Sequence, residues 1–284
     1  MATVFKSKQK SWIVLLTASL FFSLAVFFTN STPTSSKDNG KVTPTVFVHG
    51  YKGGTGSFNT MLRRFQNDRI GMKQLMIRVS EDGSLQYIGR ILDDKNPFVQ
   101  IVFENNRASI ADQTLWMKKV MHSLRHKYGI EQVNLVGHSM GGLASTNFLL
   151  ESDRSDYPRV EKLVVMGSPF KGIEREDYFS YNYGEATVDL KPGSDALESM
   201  LKRKDAFPEH IEVLTIAGVV TKDVKLGDGL VSLDSAIGIE DIVPSERYHE
   251  KIFKDPAATH SGLHEHTGID KVLAAFLWNI KANN

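Results

Sequence analysis

A stretch with β character, Val133-Asn134-Leu135-Val136, runs straight into Gly137-His138-Ser139-Met140-Gly141-Gly142, and a helix-compatible segment, Leu143 to Leu150, follows at once. This strand-to-helix junction constrains the chain more than any other feature. A serine at the tip of so sharp a turn has its hydroxyl pushed clear of the sheet and its backbone strained. Side chains at the flanking positions would collide, which accounts for Gly137 and Gly141. The helix that follows aims its N-terminal dipole and free N–H groups at the serine, where negative charge develops during acyl transfer. The context therefore marks Ser139 as a nucleophile.

A serine hydroxyl needs a histidine to take its proton and a carboxylate to orient that histidine. In a strand-turn-helix setting of this kind the chain order is Ser, then Asp or Glu, then His. After an apolar strand at Ile211 to Val219 comes Gly227-Asp228-Gly229-Leu230-Val231, which puts Asp228 in a turn and makes it the expected acid, ahead of Asp223, Asp234 and Asp241. The segment Thr259-His260-Ser261-Gly262-Leu263-His264-Glu265-His266 supplies three histidines just before a closing helix. His260 is the expected base, with His264 as its alternative; His266 reads as solvated near the helix start and His249 as a surface residue. Two backbone N–H groups should cradle the oxyanion. One is that of Met140, the residue after the nucleophile. The other is that of Tyr51, in the glycine-rich loop His49-Gly50-Tyr51-Lys52-Gly53-Gly54 that follows the first strand.

Length and charge narrow the rest. The chain has 284 residues, 41% of them hydrophobic, enough for one sizeable α/β domain. A formal net charge of +1 gives no field for nucleic acid. The absence of cysteine excludes disulfides, thiol catalysis and thiolate metal sites. Lys6, Lys8 and Lys10 precede an uncharged apolar run, Trp12 to Phe28, and a polar Ser/Thr-rich stretch follows to Gly40. A basic end, an apolar span and a tether are the signature of export. Residues 1–28 are expected to be a membrane anchor, or else a cleaved signal peptide, and 29–42 a linker. The catalytic part would then lie outside the cytoplasmic membrane.

From residue 43 to 284 strands and helices alternate, which implies one domain with a mostly parallel sheet covered on both faces. Expected strands are Thr45–His49, Leu75–Val79, Leu85–Ile91, Phe98–Phe103, Val160–Met166 and Ile211–Val219; Glu81-Asp82-Gly83-Ser84 signals a hairpin. Expected helices are Ser57–Asp68, capped by Ser57, then Ile110–Tyr128, and Ile269–Ile280 at the end. Residues 171–210 break the rhythm with Tyr178, Phe179, Tyr181 and Tyr183, and are placed where a lid would fit.

His49-Gly50, Gly137-His138-Ser139-Met140-Gly141, Asp228-Gly229-Leu230-Val231 and His260 before the last helix, in that order, resemble the α/β-hydrolase superfamily. Gly50-Tyr51-x-Gly53-Gly54, Gly167-Ser168-Pro169-Phe170 and His260-Ser261-x-Leu263-His264-Glu265 resemble signatures of the cell-surface α/β-hydrolases of Gram-positive bacteria. His260-Ser261-Gly262-Leu263 is also similar to the histidine region of small bacterial lipases. The resemblance implies a Ser–His–Asp hydrolase fold without fixing a substrate. The expected activity is hydrolysis of carboxylic esters, of small-molecule or lipid origin, with no cofactor and no metal. The alternatives are a non-catalytic surface-binding module on the same fold, or an acyltransferase or thioesterase using the same triad. Metal-dependent hydrolysis through His260, His264, His266 and Asp228 lacks the His-Glu-x-x-His spacing. Nucleotide binding at Gly50 to Ser57 lacks the Gly-Lys-Ser/Thr ending.

Overall fold

A computed structural model of the chain describes residues 43–92, 95–151 and 154–280. The expected segments 1–28 and 29–42 lie outside the described residues, as does the far C-terminus. Among the described residues, no helix is long and apolar enough to cross a membrane.

Eight strands form one sheet: β1 Thr45–Val48, β2 Met72–Val79, β3 Leu85–Gly89, β4 Pro97–Phe103, β5 Gln132–His138, β6 Arg159–Met166, β7 Glu212–Gly218 and β8 Tyr248–Phe253. Their order across the sheet is β3-β2-β4-β1-β5-β6-β7-β8. All neighbours are parallel except β2 and β3, which form the antiparallel hairpin predicted from Glu81 to Ser84. In its turn Asp82 accepts from the Ser84 amide at 2.9 Å. The eight helices among the described residues are α1 Asn59–Asn67, α2 Ile110–His126, α3 Met140–Glu151, α4 Glu176–Tyr181, α5 Ala186–Asp189, α6 Asp195–Lys202, α7 Leu233–Ile237 and α8 Thr267–Trp278.

The central strands are apolar nearly end to end because helices cover both faces of the sheet. Successive side chains point to opposite faces. Val46, Val48, Val133, Leu135, Leu163 and Val165 pack with α2 and α3 on one side. Phe47, Val136, Val164 and Met166 pack with α1 and α8 on the other. Helix α3 is buried from Met140 to Leu150, so it carries no polar stripe at all. It starts directly after β5, which plants the strand-to-helix turn at the centre of the sheet's C-terminal edge. In open sheets of this kind that edge is where ligands bind.

Several local expectations need correction. Ser57 does not cap the first helix: its hydroxyl accepts from the Gly54 amide at 3.2 Å, and α1 begins after Phe58, whose left-handed backbone (φ 63°) makes no side-chain cap. Phe58 is fully buried, so core packing sets the helix start in place of a polar cap. Strand β8 carries no clear signal in the sequence, because Tyr-His-Glu-Lys-Ile-Phe is an exposed edge strand with little apolar alternation. Helix α8 starts two residues earlier than expected, at Thr267, and α2 stops at His126.

Candidate active site

Ser139 sits between β5 and α3 with φ 55°, the left-handed conformation that side chains rarely adopt. The turn is held in place: the Ser139 amide donates to the Met166 carbonyl of β6 at 2.8 Å, and the Gly142 amide donates back to the Ser139 carbonyl at 3.0 Å. The close approach of α3 to β1 demands glycine at 141. A Cβ there would lie 2.3 Å from the Val48 carbonyl oxygen and 2.6 Å from that of His49. From the other side, the loop after β1 presses on the serine. A Cβ at Gly50 would lie 2.7 Å from the Ser139 Cβ.

The structure brings Ser139, His260 and Asp228 together. His260 Nε2 lies 2.9 Å from Ser139 Oγ, and Nδ1 lies 2.7 Å from Asp228 Oδ2. A carboxylate offers acceptors only, so Nδ1–H donates to Asp228 and Nε2 presents its lone pair to the serine hydroxyl. Asp228 is itself pinned. Its Oδ1 accepts from the amides of Leu230 at 3.0 Å and Val231 at 2.8 Å, and its side chain is 1% exposed. The His260 amide donates to the Asp228 carbonyl at 2.8 Å, which fixes the two loops to each other. The glycines either side of Asp228 take positive φ, 50° and 91°, so the chain can turn the carboxylate inward.

The other candidates go elsewhere. Asp234 and Asp241 lie 2.8 and 3.8 Å from the Lys171 ammonium. Asp223 accepts from the Lys225 amide in its own exposed turn. His264, the alternative base, does not reach the serine. Its ring packs against His138 and Phe58, with centroids 5.0 and 5.8 Å apart, and Nδ1 faces Glu265. His266 is not a solvated residue: its Nδ1 accepts from the Gly268 amide at 3.0 Å, capping α8, and its ring packs on Phe253. His260, His264, His266 and Asp228 do not converge as a metal site.

Two histidines that support the site went unassigned in the sequence. His138, the residue before the serine, donates from Nε2 to the His260 carbonyl at 2.8 Å, and the two rings lie 4.8 Å apart. It ties the turn at Ser139 to the loop at His260. Burial, with repulsion from His260 and His264, pushes His138 well below the ordinary histidine range. It therefore stays neutral beside His260. His49 donates from Nδ1 to the Gly50 carbonyl at 2.8 Å and accepts from the Phe103 amide at 3.0 Å, which is the neutral form's pattern. Burial holds its pKa down as well. His49 thus fastens the loop after β1 to the end of β4. Both residues were visible in the sequence only as motif neighbours, because their partners are remote carbonyls and amides. Arg64 of α1 adds a further brace: it forms a two-pronged pair with Asp270 of α8 and donates to the His264 carbonyl at 3.2 Å.

Tyr51 and Met140 lie on the two backbones that flank Ser139, after β1 and at the first residue of α3. The segment after β6 touches this rim. The Tyr51 hydroxyl donates to the Tyr183 carbonyl at 2.7 Å and accepts from the Tyr183 amide at 3.1 Å. Lys52 donates to Asn182 at 3.0 Å, and Arg175 donates to the Gly229 carbonyl at 2.9 Å. Residues 175–183 are therefore bonded both to the loop that carries Tyr51 and to the loop that carries Asp228. Tyr181 and Tyr183 remain 72% and 67% exposed beside this rim.

A mostly parallel eight-stranded sheet, with a left-handed serine between its central strand and a buried helix, defines the α/β-hydrolase fold. The chain belongs to the family described as alpha/beta hydrolase of unknown function (DUF915), which matches residues 32–280. Among solved structures it resembles a gene product of Listeria innocua, at 27% identity and TM-score 0.73, over 86% of this chain and 96% of that one. It also resembles a Lactobacillus plantarum protein described as a cell surface hydrolase, at 21% identity and TM-score 0.67, over 86% and 94% of the two chains. A Bacillus licheniformis lipase in mature form shares the fold at 16% identity and TM-score 0.56, over 84% and 92%. No curated protein matches the sequence.

Proposed function

We propose that the chain is an extracytoplasmic serine hydrolase that cleaves carboxylic esters through an acyl-enzyme on Ser139. The carrying observation is the relay from Ser139 Oγ through His260 to Asp228, at 2.9 and 2.7 Å, built on a strained turn that points the hydroxyl out of the sheet. Ser139 Oγ attacks the ester carbonyl carbon while His260 Nε2 takes its proton. The imidazolium, steadied by Asp228, returns that proton to the departing alkoxide. Water, deprotonated by the same nitrogen, then attacks the acyl group and restores Ser139. The amides of Tyr51 and Met140 are assigned to the oxyanion, since both backbones border the serine and a glycine at 50 allows the approach. Residues 171–210 are assigned as a lid whose anchor points are Tyr51 and Gly229.

Ester substrates are favoured by the fold shared with a lipase and by the aromatic surface at Tyr181 and Tyr183. A location outside the cytoplasmic membrane is favoured by the lysine-flanked apolar run at Trp12 to Phe28 and by the likeness to a protein described as a cell surface hydrolase. The test is labelling of the full chain with a fluorophosphonate probe, peptide mapping, and turnover of nitrophenyl esters of increasing acyl length. Labelling confined to Ser139, and lost in Ser139→Ala, is expected. A folded protein that neither labels nor turns over any ester would instead be a binding module. Acyl transfer to an added alcohol in preference to water would make it an acyltransferase.

A further inference from the structure

The rim opposite the candidate active site carries a second histidine–aspartate cluster. His122 and His126 stand one turn apart near the C-terminal end of α2, so they share a face of that helix. Their rings lie 4.3 Å apart. Both point their Nε2 atoms at one carboxylate, that of Asp156 in the turn between α3 and β6. His126 Nε2 lies 2.8 Å from Asp156 Oδ1, and His122 Nε2 lies 3.6 Å from Asp156 Oδ2. One donor atom from each residue falls within 4.8 Å of the other two. Among the described residues this is the one trio of such groups that converges.

We infer that His122, His126 and Asp156 form a binding site for a divalent transition-metal ion of the zinc type. Zinc binds imidazole nitrogen and carboxylate oxygen at about 2.0–2.2 Å in a tetrahedron, which spaces neighbouring ligand atoms about 3.3 Å apart. The two nitrogen–oxygen separations bracket that spacing, so small torsional adjustments of three half-exposed side chains would seat the ion. All three side chains are 50–53% exposed in the cluster's closest pairings, which leaves an entry path and a fourth position for water. Imidazole and carboxylate suit zinc better than calcium or magnesium, which prefer all-oxygen shells. The ion would clip the end of α2 to the turn before β6. Strand β5 begins just after α2 and leads at its far end into Ser139, so the clip is structural and lies away from the chemistry.

The test uses the full chain, free of any polyhistidine tag, titrated with zinc chloride by calorimetry and by thermal denaturation. Saturating zinc is expected to bind one ion per chain and raise Tm by about 5 °C, reversibly with chelator, as mass action on the folded state requires. His122→Ala and Asp156→Asn should each weaken binding by about tenfold or more, and His122→Ala/His126→Ala should abolish the rise. Each side chain is half exposed, so these variants should fold. His249→Ala, which removes a histidine paired with Glu212 elsewhere on the surface, should bind zinc as the parent does. Cobalt substitution should give the intense visible bands of a four-coordinate site. Equal zinc binding by the parent and the double variant would overturn the inference, as would no binding at all. Neither result bears on the Ser139 chemistry, which is read separately by ester turnover.

Discussion

The two rims of this sheet carry histidine–aspartate constellations in opposite surroundings. At the C-terminal rim, His260 is 16% exposed and its partner Asp228 only 1%. There the Asp228 carboxylate accepts from His260 and from the amides of Leu230 and Val231, and His260 Nε2 faces the serine hydroxyl. At the N-terminal rim, His122, His126 and Asp156 are each about half exposed, and both histidines face the one carboxylate. The same residue types therefore do different physical work. Burial and these partners hold one tautomer and one rotamer, which the proposed proton relay requires. Exposure leaves side chains free to adjust and open to solvent, which suits capture of an ion better than proton transfer.

That contrast can be broken most sharply at Ser139. Ser139→Ala should cut ester turnover by about a millionfold, leaving only the residual rate that binding and oxyanion stabilisation sustain, with thermal stability unchanged. Steady-state kinetics with a short-chain nitrophenyl ester would check it. Asp228→Asn should cost about ten-thousandfold, because an amide can force the wrong tautomer on His260 while leaving the geometry intact. If the asparagine variant retained most of its activity, Asp228 would be merely a loop residue. By comparison, Gly141→Ala acts on folding. The added methyl meets two backbone oxygens of the β1 end that cannot move aside. A loss of roughly 3 kcal/mol or more in urea denaturation is expected, with poor soluble yield.

A smaller effect separates the buried histidines by pH. His49 and His138 are held below the ordinary value of 6.5 by burial. Below pH 6.5 the unfolded chain takes up protons at these positions and the folded chain does not, so stability falls as pH falls from 6.5 toward the depressed folded values. Each histidine contributes at most about 1.4 kcal/mol per pH unit in that window. Urea midpoints at pH 7.5 and 5.5 would measure the slope, and His138→Gln should reduce it. A slope unchanged by that substitution would mean His138 titrates normally. The smallest effect expected is that of His122→Ala on ester turnover, within about twofold of the parent, since no step of the relay passes through α2.

Much of this architecture was legible because local and global signals agree. Gly-x-Ser-x-Gly between a β run and a buried helix predicts the turn, and the run of strands and helices predicts the parallel sheet. The order Ser, Asp, His predicts which loops must meet. Elements without a local signal were missed: β8 is polar and exposed, and the start of α1 is set by buried Phe58 and not by Ser57. His266 reads as a surface histidine until its cap on α8 is seen.

The fold class and the three loops that bear Ser139, Asp228 and His260 are readable from the chain alone, because glycine placement, apolar runs and chain order are local properties. The folded chain shows which of His260 and His264 faces Ser139. They lie four residues apart in one segment, and the difference is which ring the short helical turn between them aims at the serine. It also set the partners of His49 and His138, which lie 54 and 122 residues away, and brought Asp156 to a histidine pair that begins 34 residues upstream and ends 30 residues upstream. Contacts of that range are set by how the helices pack on the sheet, and no spacing in the chain announces them.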